Sequence, residues 1–188
     1  MDQGFSEVNR AVHLARRDAC VERAAELLQA APEGWTTSER LAHGSALDRL
    51  LDCAERHAAL AMRSARGTDT ERAFVRFLRL VHHNAQSVQA LMENQAHIES
   101  EDHSFLGRLL GEDREQSALS ALHCRRGAED MLLGLRQIFQ MAYGPYLALQ
   151  RENRGALRPE EARRYGEAHA AFAAEMADRF PLPVGAAD

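Results

Sequence analysis

The stretch TDTERAFVRFLRLVHHNAQSVQALMENQAHIE, residues 68–99, decides the fold class of this chain. Its apolar side chains recur every three or four residues, a spacing that gathers them on one face of an α-helix. They are Phe74, Phe77, Leu78, Val81, Ala85, Val88, Leu91 and Met92. Arginine, histidine and glutamine occupy the opposite face. Thr68, followed three residues later by Glu71, has the spacing of a capping box at a helix start. The stretch therefore predicts one long amphipathic helix.

The same periodicity continues on both sides of this segment. It predicts further helices over residues 6–31, 36–66, 114–143 and 159–180. Gly144 and Pro145 are expected to break or kink the fourth helix, and Pro159 suits the first residue of the fifth. Short connections force neighbouring helices to run antiparallel. The sequence thus predicts an all-α, antiparallel bundle of about five helices, one domain over residues 1–180 with a flexible tail over 181–188.

The expected core collects large apolar residues from three of these helices. They are Phe74, Phe77, Val81, Val88, Leu132, Leu135 and Phe172, and Leu122 and Ile138 are also expected to face inward. Burial of these stripes is what should hold the helices together.

Composition narrows the function classes. The 188 residues carry a net charge of −5, so the broad basic surface used for nucleic-acid binding is not expected. Lysine is absent from the chain, which excludes lysine Schiff-base and P-loop chemistry. No run of about twenty apolar residues suggests a membrane span. Three widely spaced cysteines are typical of reduced thiols, and hence of a cytoplasmic protein.

Nine histidines raise the question of a metal or haem site. The spacings used by metal sites, such as Glu-x-x-His on paired helices, His-Glu-x-x-His or Cys-x-x-Cys, are missing from the sequence. Helical wheels nevertheless place five possible ligands on or beside the apolar stripes: His57, His82, His169, Cys53 and Cys124. We expect these to be ordinary core or boundary side chains without a cofactor. A bundle that binds a metal, haem or small apolar ligand between its helices is the alternative.

Charged pairs on the predicted helices have a simple interpretation. Asp48 and Asp52 lie one turn apart, and an exposed pair between Asp52 and Arg56 is expected rather than acid–base chemistry. The arginine doublets 16–17, 125–126 and 163–164 are expected on solvated faces.

Two regions have apolar side chains that suit a partner. Phe105, Leu106, Leu109 and Leu110 form a short apolar turn within an acidic linker, which either binds a partner or packs on the bundle's own core. Tyr143 and Tyr146 flank the Gly144–Pro145 step and are expected to stay partly exposed. With no catalytic constellation in view, the leading hypothesis is a non-enzymatic regulatory or adaptor protein that binds a protein partner, with a homodimer favoured. An enzyme of unfamiliar type is a third possibility.

Overall fold

A computed structural model describes residues 3–30, 35–64, 67–102 and 114–183. These residues form five α-helices and no strand. The helices are α1 (Gln3–Gln29), α2 (Thr37–Ser64), α3 (Asp69–Asp102), α4 (Arg114–Gly155) and α5 (Pro159–Arg179). The predicted all-α bundle is confirmed.

Helices that follow one another in sequence run antiparallel. The Thr37 hydroxyl at the start of α2 donates a hydrogen bond to Glu99 near the end of α3. Phe74 near the start of α3 stacks on Tyr146 in the last part of α4. A smaller contact between α1 and α4 closes the first four helices into a ring.

The fifth helix lies outside this ring and packs on α1. Tyr165 of α5 lies beside Asp18 of α1. His169, one turn after Tyr165, lies beside Glu22, which is one turn after Asp18. Equal steps in the same direction show that α5 runs parallel to α1. This direction follows from the short connection after α4, which turns the chain back beside the start of α1.

The core contains most of the residues that the periodicity selected. Five of the seven predicted core residues are buried: Phe74, Val81, Val88, Leu132 and Leu135. Phe77 and Phe172 are only partly buried and pack against the edge of the core. The buried residues of α1 and α2 include many alanines, whose small side chains let packed helices approach closely. Among them are Ala15, Ala19, Ala24, Ala54 and Ala58.

Helix starts follow the sequence signals closely. At α2 and at α3 a threonine precedes the helix, and a glutamate three residues on accepts a hydrogen bond from the threonine backbone N–H. The threonine hydroxyl accepts one in return. Both capping boxes are therefore confirmed.

The predicted break of α4 at Gly144 and Pro145, with its end at Tyr143, is wrong. The helix continues through Pro145 to Gly155. Beyond the proline, Tyr146 and Leu149 are buried in the core, and their packing outweighs the lost hydrogen bond. The inward assignment of two other α4 residues is also wrong, because Leu122 and Ile138 are exposed.

Helix α4 extends well beyond the region that α1 covers. Near its end, α1 meets the middle of α4, where Ala25, Leu28 and Gln29 face Phe139 and Tyr143. The α1 helix ends there, so residues 114–135 of α4 have no α1 alongside them. This uncovered half is the geometric setting for the surface described below.

Candidate functional site

The three candidate histidines contact different partners. His82 Nδ1 lies 3.0 Å from Glu55 Oε2, and its Nε2 lies 3.3 Å from Asp48, between α2 and α3. His169 Nε2 lies 2.9 Å from Glu22 on the other side of α1. His57 lies between α1 and α2 and contacts a further histidine, His13. Among the residues that the structure describes, no group of three or more His, Cys, Asp or Glu side chains is arranged to hold a metal ion.

The predicted partner-binding residues divide into three groups. Phe105, Leu106, Leu109 and Leu110 lie outside the described residues. Tyr143 is half-buried against the core. Tyr146 is only 2% exposed, so the expectation that it stays partly exposed is wrong.

Two cysteines from different helices meet inside the bundle. Cys20 of α1 is fully buried and Cys53 of α2 is partly buried beside it, both as free thiols. The two sulfurs lie close enough for each thiol to shift the pKa of the other. Cys124, the third cysteine, is partly buried on α4 and also free.

A pair of histidines adjoins the thiols. His57 lies one helical turn after Cys53 and contributes to the lowered pKa of its thiol. On its other side, His57 Nδ1 lies 3.1 Å from Nδ1 of His13, and the two rings stack. Burial, together with the nearby His57 and Arg16, lowers the pKa of His13 and keeps that ring neutral. The four side chains form a thiol–imidazole cluster, defined as Cys20, Cys53, His57 and His13.

The two thiols differ in acidity. The interaction with Cys20 lowers the pKa of Cys53 to about 5, against the opposing effect of burial, and His57 and Arg56 add to the lowering. The interaction with Cys53, together with burial, raises the pKa of the Cys20 thiol. Cys53 is therefore the more acidic of the two thiols, and the one that ionises first as pH rises.

A second candidate site lies on the surface of α4. In its uncovered half, Leu119, Leu122 and Leu133 are 47%, 38% and 54% exposed. Arg126 and Glu129 lie between the last two, so positions 119, 122, 126, 129 and 133 are spaced alternately by three and four residues. That is the spacing of a coiled-coil seam. We call these five residues the α4 seam.

Two open cavities complete the candidate sites. The larger, about 590 Å³, lies where the end of α5 meets the start of α2, and Leu27, Trp35, His43 and Phe180 are among its lining residues. Nδ1 of the buried His43 has no hydrogen-bond partner in the described part of the chain. A second cavity of about 420 Å³ lies on the other side of Trp35 and is lined by more polar residues.

The charged interior of α1 was not expected from the sequence. Arg17, assigned to a solvated face, is buried beside Asp18, 2.7 Å away, and lies over the Phe74 ring. Asp18 also accepts hydrogen bonds from the Tyr146 and Tyr165 hydroxyls, at 3.1 and 2.7 Å. The other two doublets do lie on exposed surfaces, and the expected Asp52–Arg56 pair forms.

Sequence reasoning identified half of the thiol–imidazole cluster. It selected Cys53 and His57, which lie beside the α2 stripe, but passed over Cys20 and His13. Their spacing did offer a signal. Cys20 follows His13 on α1 by seven residues, which is about two helical turns, so the two side chains lie on the same face of the helix. Which face of α1 meets α2 depends on tertiary packing, and this could not be inferred from α1 alone.

Comparison with known proteins adds no assignment. No protein family, curated protein or solved structure shows significant similarity to this chain. No helix in the described ranges combines the length and apolar character needed to cross a membrane.

Proposed function

We propose that this chain is a non-enzymatic, cytoplasmic interaction protein that pairs with a second copy of itself through the α4 seam. The observation that carries the proposal is the row of three exposed leucines at coiled-coil spacing where α1 no longer covers α4. Exposed apolar side chains arranged in a row, rather than scattered singly, are typical of an interaction surface.

The charges within the seam favour an antiparallel arrangement of the two copies. A two-fold axis between residues 127 and 128 places Leu122 opposite Leu133 of the second copy. It places Arg126 opposite Glu129 of the second copy, and symmetry repeats both pairs. Polar pairs at such positions cost stability but fix register and orientation. The same surface on each partner is what a closed two-fold dimer requires.

The expected affinity is modest. Full burial of a leucine contributes about 1.5–3 kcal/mol, and these leucines are already about half buried. Exposed charge pairs add roughly 0.2–1 kcal/mol each. Association costs at least about 4 kcal/mol in lost motional freedom. Together these magnitudes favour a weak, reversible dimer with a dissociation constant between the micromolar and millimolar ranges.

Sedimentation velocity over a concentration series tests the proposal through charge reversal. Arg126→Glu places acid opposite acid, and Glu129→Arg places arginine opposite arginine, so each variant alone should remain monomeric. An equimolar mixture restores both pairs and should form a heterodimer. Circular dichroism checks folding of each variant, since Glu129 also lies near Arg40 of α2. A wild-type chain that stays monomeric at several hundred micromolar, or a mixture that fails to associate, contradicts the proposal.

The 590 Å³ cavity supports a second candidate function, the binding of a small apolar ligand. Its lining combines apolar side chains with the unpartnered Nδ1 of His43, as in pockets that place one polar group among apolar ones. Trp35 is the single tryptophan in the chain and lines both cavities, whereas Leu27 lines only the larger one, so the response of a Leu27 variant assigns a fluorescence change to that cavity. Titration with a naphthalene sulfonate dye should change that fluorescence saturably in the wild type and much less in a Leu27→Arg variant. An unchanged wild-type spectrum contradicts this candidate.

A further inference from the structure

We propose that the thiol–imidazole cluster is a redox site that reduces a hydroperoxide, with Cys53 as the attacking thiol and Cys20 as the resolving thiol. This inference is independent of the α4 seam. It stands on two free thiols, one on α1 and one on α2, that interact with each other, and on a histidine pair that joins the same two helices at 3.1 Å.

Exposure assigns the two thiol roles. Cys53 is partly exposed, whereas Cys20 is fully enclosed. A reagent therefore meets Cys53 first, and only a small one fits between the helices. The acidity of the two thiols agrees with this order, because the pKa of Cys53 is lowered and that of Cys20 is raised.

The histidine pair supplies and orients a base. His57 lies one helical turn from Cys53, interacts with its thiol and can accept its proton. A protonated His57 carries N–H groups on both ring nitrogens. It then donates one to His13 across the 3.1 Å contact and the other to the Cys53 thiolate. Neutral His13 is an acceptor in this arrangement, so it is a positioning residue that holds the His57 ring.

The packing of α1 on α2 allows the disulfide to close. A disulfide needs Cα atoms about 4.4–6.8 Å apart, which is closer than most helix pairs allow. Alanine neighbours flank both cysteines, Ala19 on α1 and Ala54 on α2, and both are buried. Small side chains next to both cysteines leave room for the short approach that a bond between the two sulfurs requires.

The chemistry balances with one hydroperoxide and two thiols. The Cys53 thiolate attacks one peroxide oxygen, so that the S–O bond forms and the O–O bond breaks. The sulfur loses two electrons to the peroxide, and the leaving oxygen takes the His57 proton and departs as water or an alcohol. The Cys20 thiol then attacks the Cys53 sulfenic acid. The S–S bond forms and the S–O bond breaks. Neutral His57 passes the Cys20 proton to the departing hydroxide, which leaves as water.

Peptide mapping tests the product, because trypsin cleavage places the three cysteines on separate peptides, residues 18–23, 50–56 and 115–125. One equivalent of hydrogen peroxide added to the reduced full-length protein should link peptides 18–23 and 50–56, with the loss of two hydrogens. The Cys124 peptide should remain reduced and serves as the internal control. Cys20→Ala should instead accumulate a sulfenic acid on peptide 50–56, trapped by dimedone. Absence of the linked peptides in the wild type, or of the dimedone adduct in Cys20→Ala, would overturn the proposal. So would a disulfide that forms with oxidised glutathione but not with hydrogen peroxide.

The pH profile of iodoacetamide labelling tests the thiolate at Cys53. Its folded surroundings include His57 and Arg56 on α2, His13, Arg16 and Cys20 on α1, and, around Cys20, Glu175 and Arg179 on α5. Between pH 6 and 8 the rate on peptide 50–56 should change less than about threefold, because the thiolate is already formed. In the urea-unfolded chain the same rate should rise about tenfold per pH unit.

The absolute rate at pH 7 is a poor readout, since a thiolate of lower pKa is also a weaker nucleophile. His57→Gln should steepen the folded profile, and His13→Ala should do so to a smaller extent while the fold is retained. A folded wild-type profile as steep as the unfolded one overturns the assignment of Cys53.

Discussion

The carboxylate of Asp18 joins three helices. It is fully buried, pairs with Arg17 beside it on α1, and accepts hydrogen bonds from Tyr146 of α4 and Tyr165 of α5. Removing one member of a buried ion pair leaves the other charge uncompensated, at a cost of about 3–5 kcal/mol. We therefore expect Asp18→Ala to lower the free energy of unfolding by that amount, measured by urea denaturation.

Two variants separate this effect from the general cost of substitution. Tyr165→Phe removes one hydrogen bond to the carboxylate and should cost about 1–2 kcal/mol. Asp52→Ala removes an exposed pair with Arg56 and should cost less than about 0.5 kcal/mol. An Asp18→Ala loss no larger than the Asp52→Ala loss would mean that the interior network contributes little.

His43 gives the chain a defined dependence of stability on pH. Burial lowers its pKa to about 4, compared with about 6.5 when exposed. As pH falls below 6.5, the unfolded chain takes up the proton before the folded chain does, so stability falls until about pH 4. Between pH 7 and pH 5 this single group should account for a loss of about 2 kcal/mol.

Comparison of two histidine variants tests that value. His43→Gln should lose about 2 kcal/mol less than the wild type between pH 7 and pH 5 in urea denaturation. His83→Gln, which replaces an exposed histidine on α3, should keep the wild-type dependence. Equal dependence in all three chains would show that His43 takes up its proton in the folded state.

Residue-level prediction from the sequence succeeded where local pattern decides and failed where tertiary partners decide. The stripe residues Leu78, Val81 and Val88 are buried as their spacing indicates. Arg17 has no such local signal. Its burial follows from a carboxylate beside it and an aromatic ring on α3, and the identity of that ring depends on how the helices pack.

At the scale of the element, α4 shows the limit of local helix-breaking signals. Gly144 and Pro145 both disfavour a helix, yet α4 passes through them. Both are exposed, while Tyr146 directly after them is buried against Phe74. Packing of the buried face of α4 therefore maintains the helix at Gly144 and Pro145, which lie on its exposed face. The sequence shows the two residues that destabilise the helix here, but not the tertiary contacts that compensate for them.

Replacement of the exposed Gly144 by alanine is expected to stabilise the protein. A Cβ at Gly144 meets no atom within 4 Å, and alanine is favoured over glycine in a helix interior by about 0.5–1 kcal/mol. Thermal denaturation should show a correspondingly higher midpoint.

The matched control is Gly44→Ala in α2. There an added Cβ would lie 2.6 Å from Gln89 Oε1 and 2.9 Å from Met92 Sδ, across the close contact with α3. Both side chains must shift to admit the Cβ, so we expect the gain predicted at Gly144 to be absent here and the stability to be unchanged or lower. If Gly144→Ala destabilises as much as Gly44→Ala does, the helix at Gly144 depends on glycine for another reason.

At the scale of the whole molecule, helix number and antiparallel sequence followed from periodicity and short connections. The position of α5 could not be predicted, because the spacing of its apolar residues suits packing in more than one groove of the bundle. Tyr165 selects α1, since its hydroxyl reaches Asp18 only there. The same limit explains why the α4 seam was missed. Leu122 was expected inside, and its exposure follows from α1 ending before it covers this half of α4.

A dimer formed through the α4 seam should make the thermal unfolding of the whole molecule depend on concentration. Since folding and association are linked, each tenfold rise in concentration adds about 1.4 kcal/mol per dimer, or roughly 0.7 kcal/mol per chain. For a chain of 188 residues, this corresponds to a rise of roughly 2 °C in the unfolding midpoint. A hundredfold range in differential scanning calorimetry should therefore span roughly 4 °C. Leu122→Asp combined with Leu133→Asp should abolish the trend without lowering the helical signal, because both leucines are exposed in the single chain. A wild-type unfolding midpoint that stays constant over the hundredfold range of concentration would contradict a dimer formed through the α4 seam.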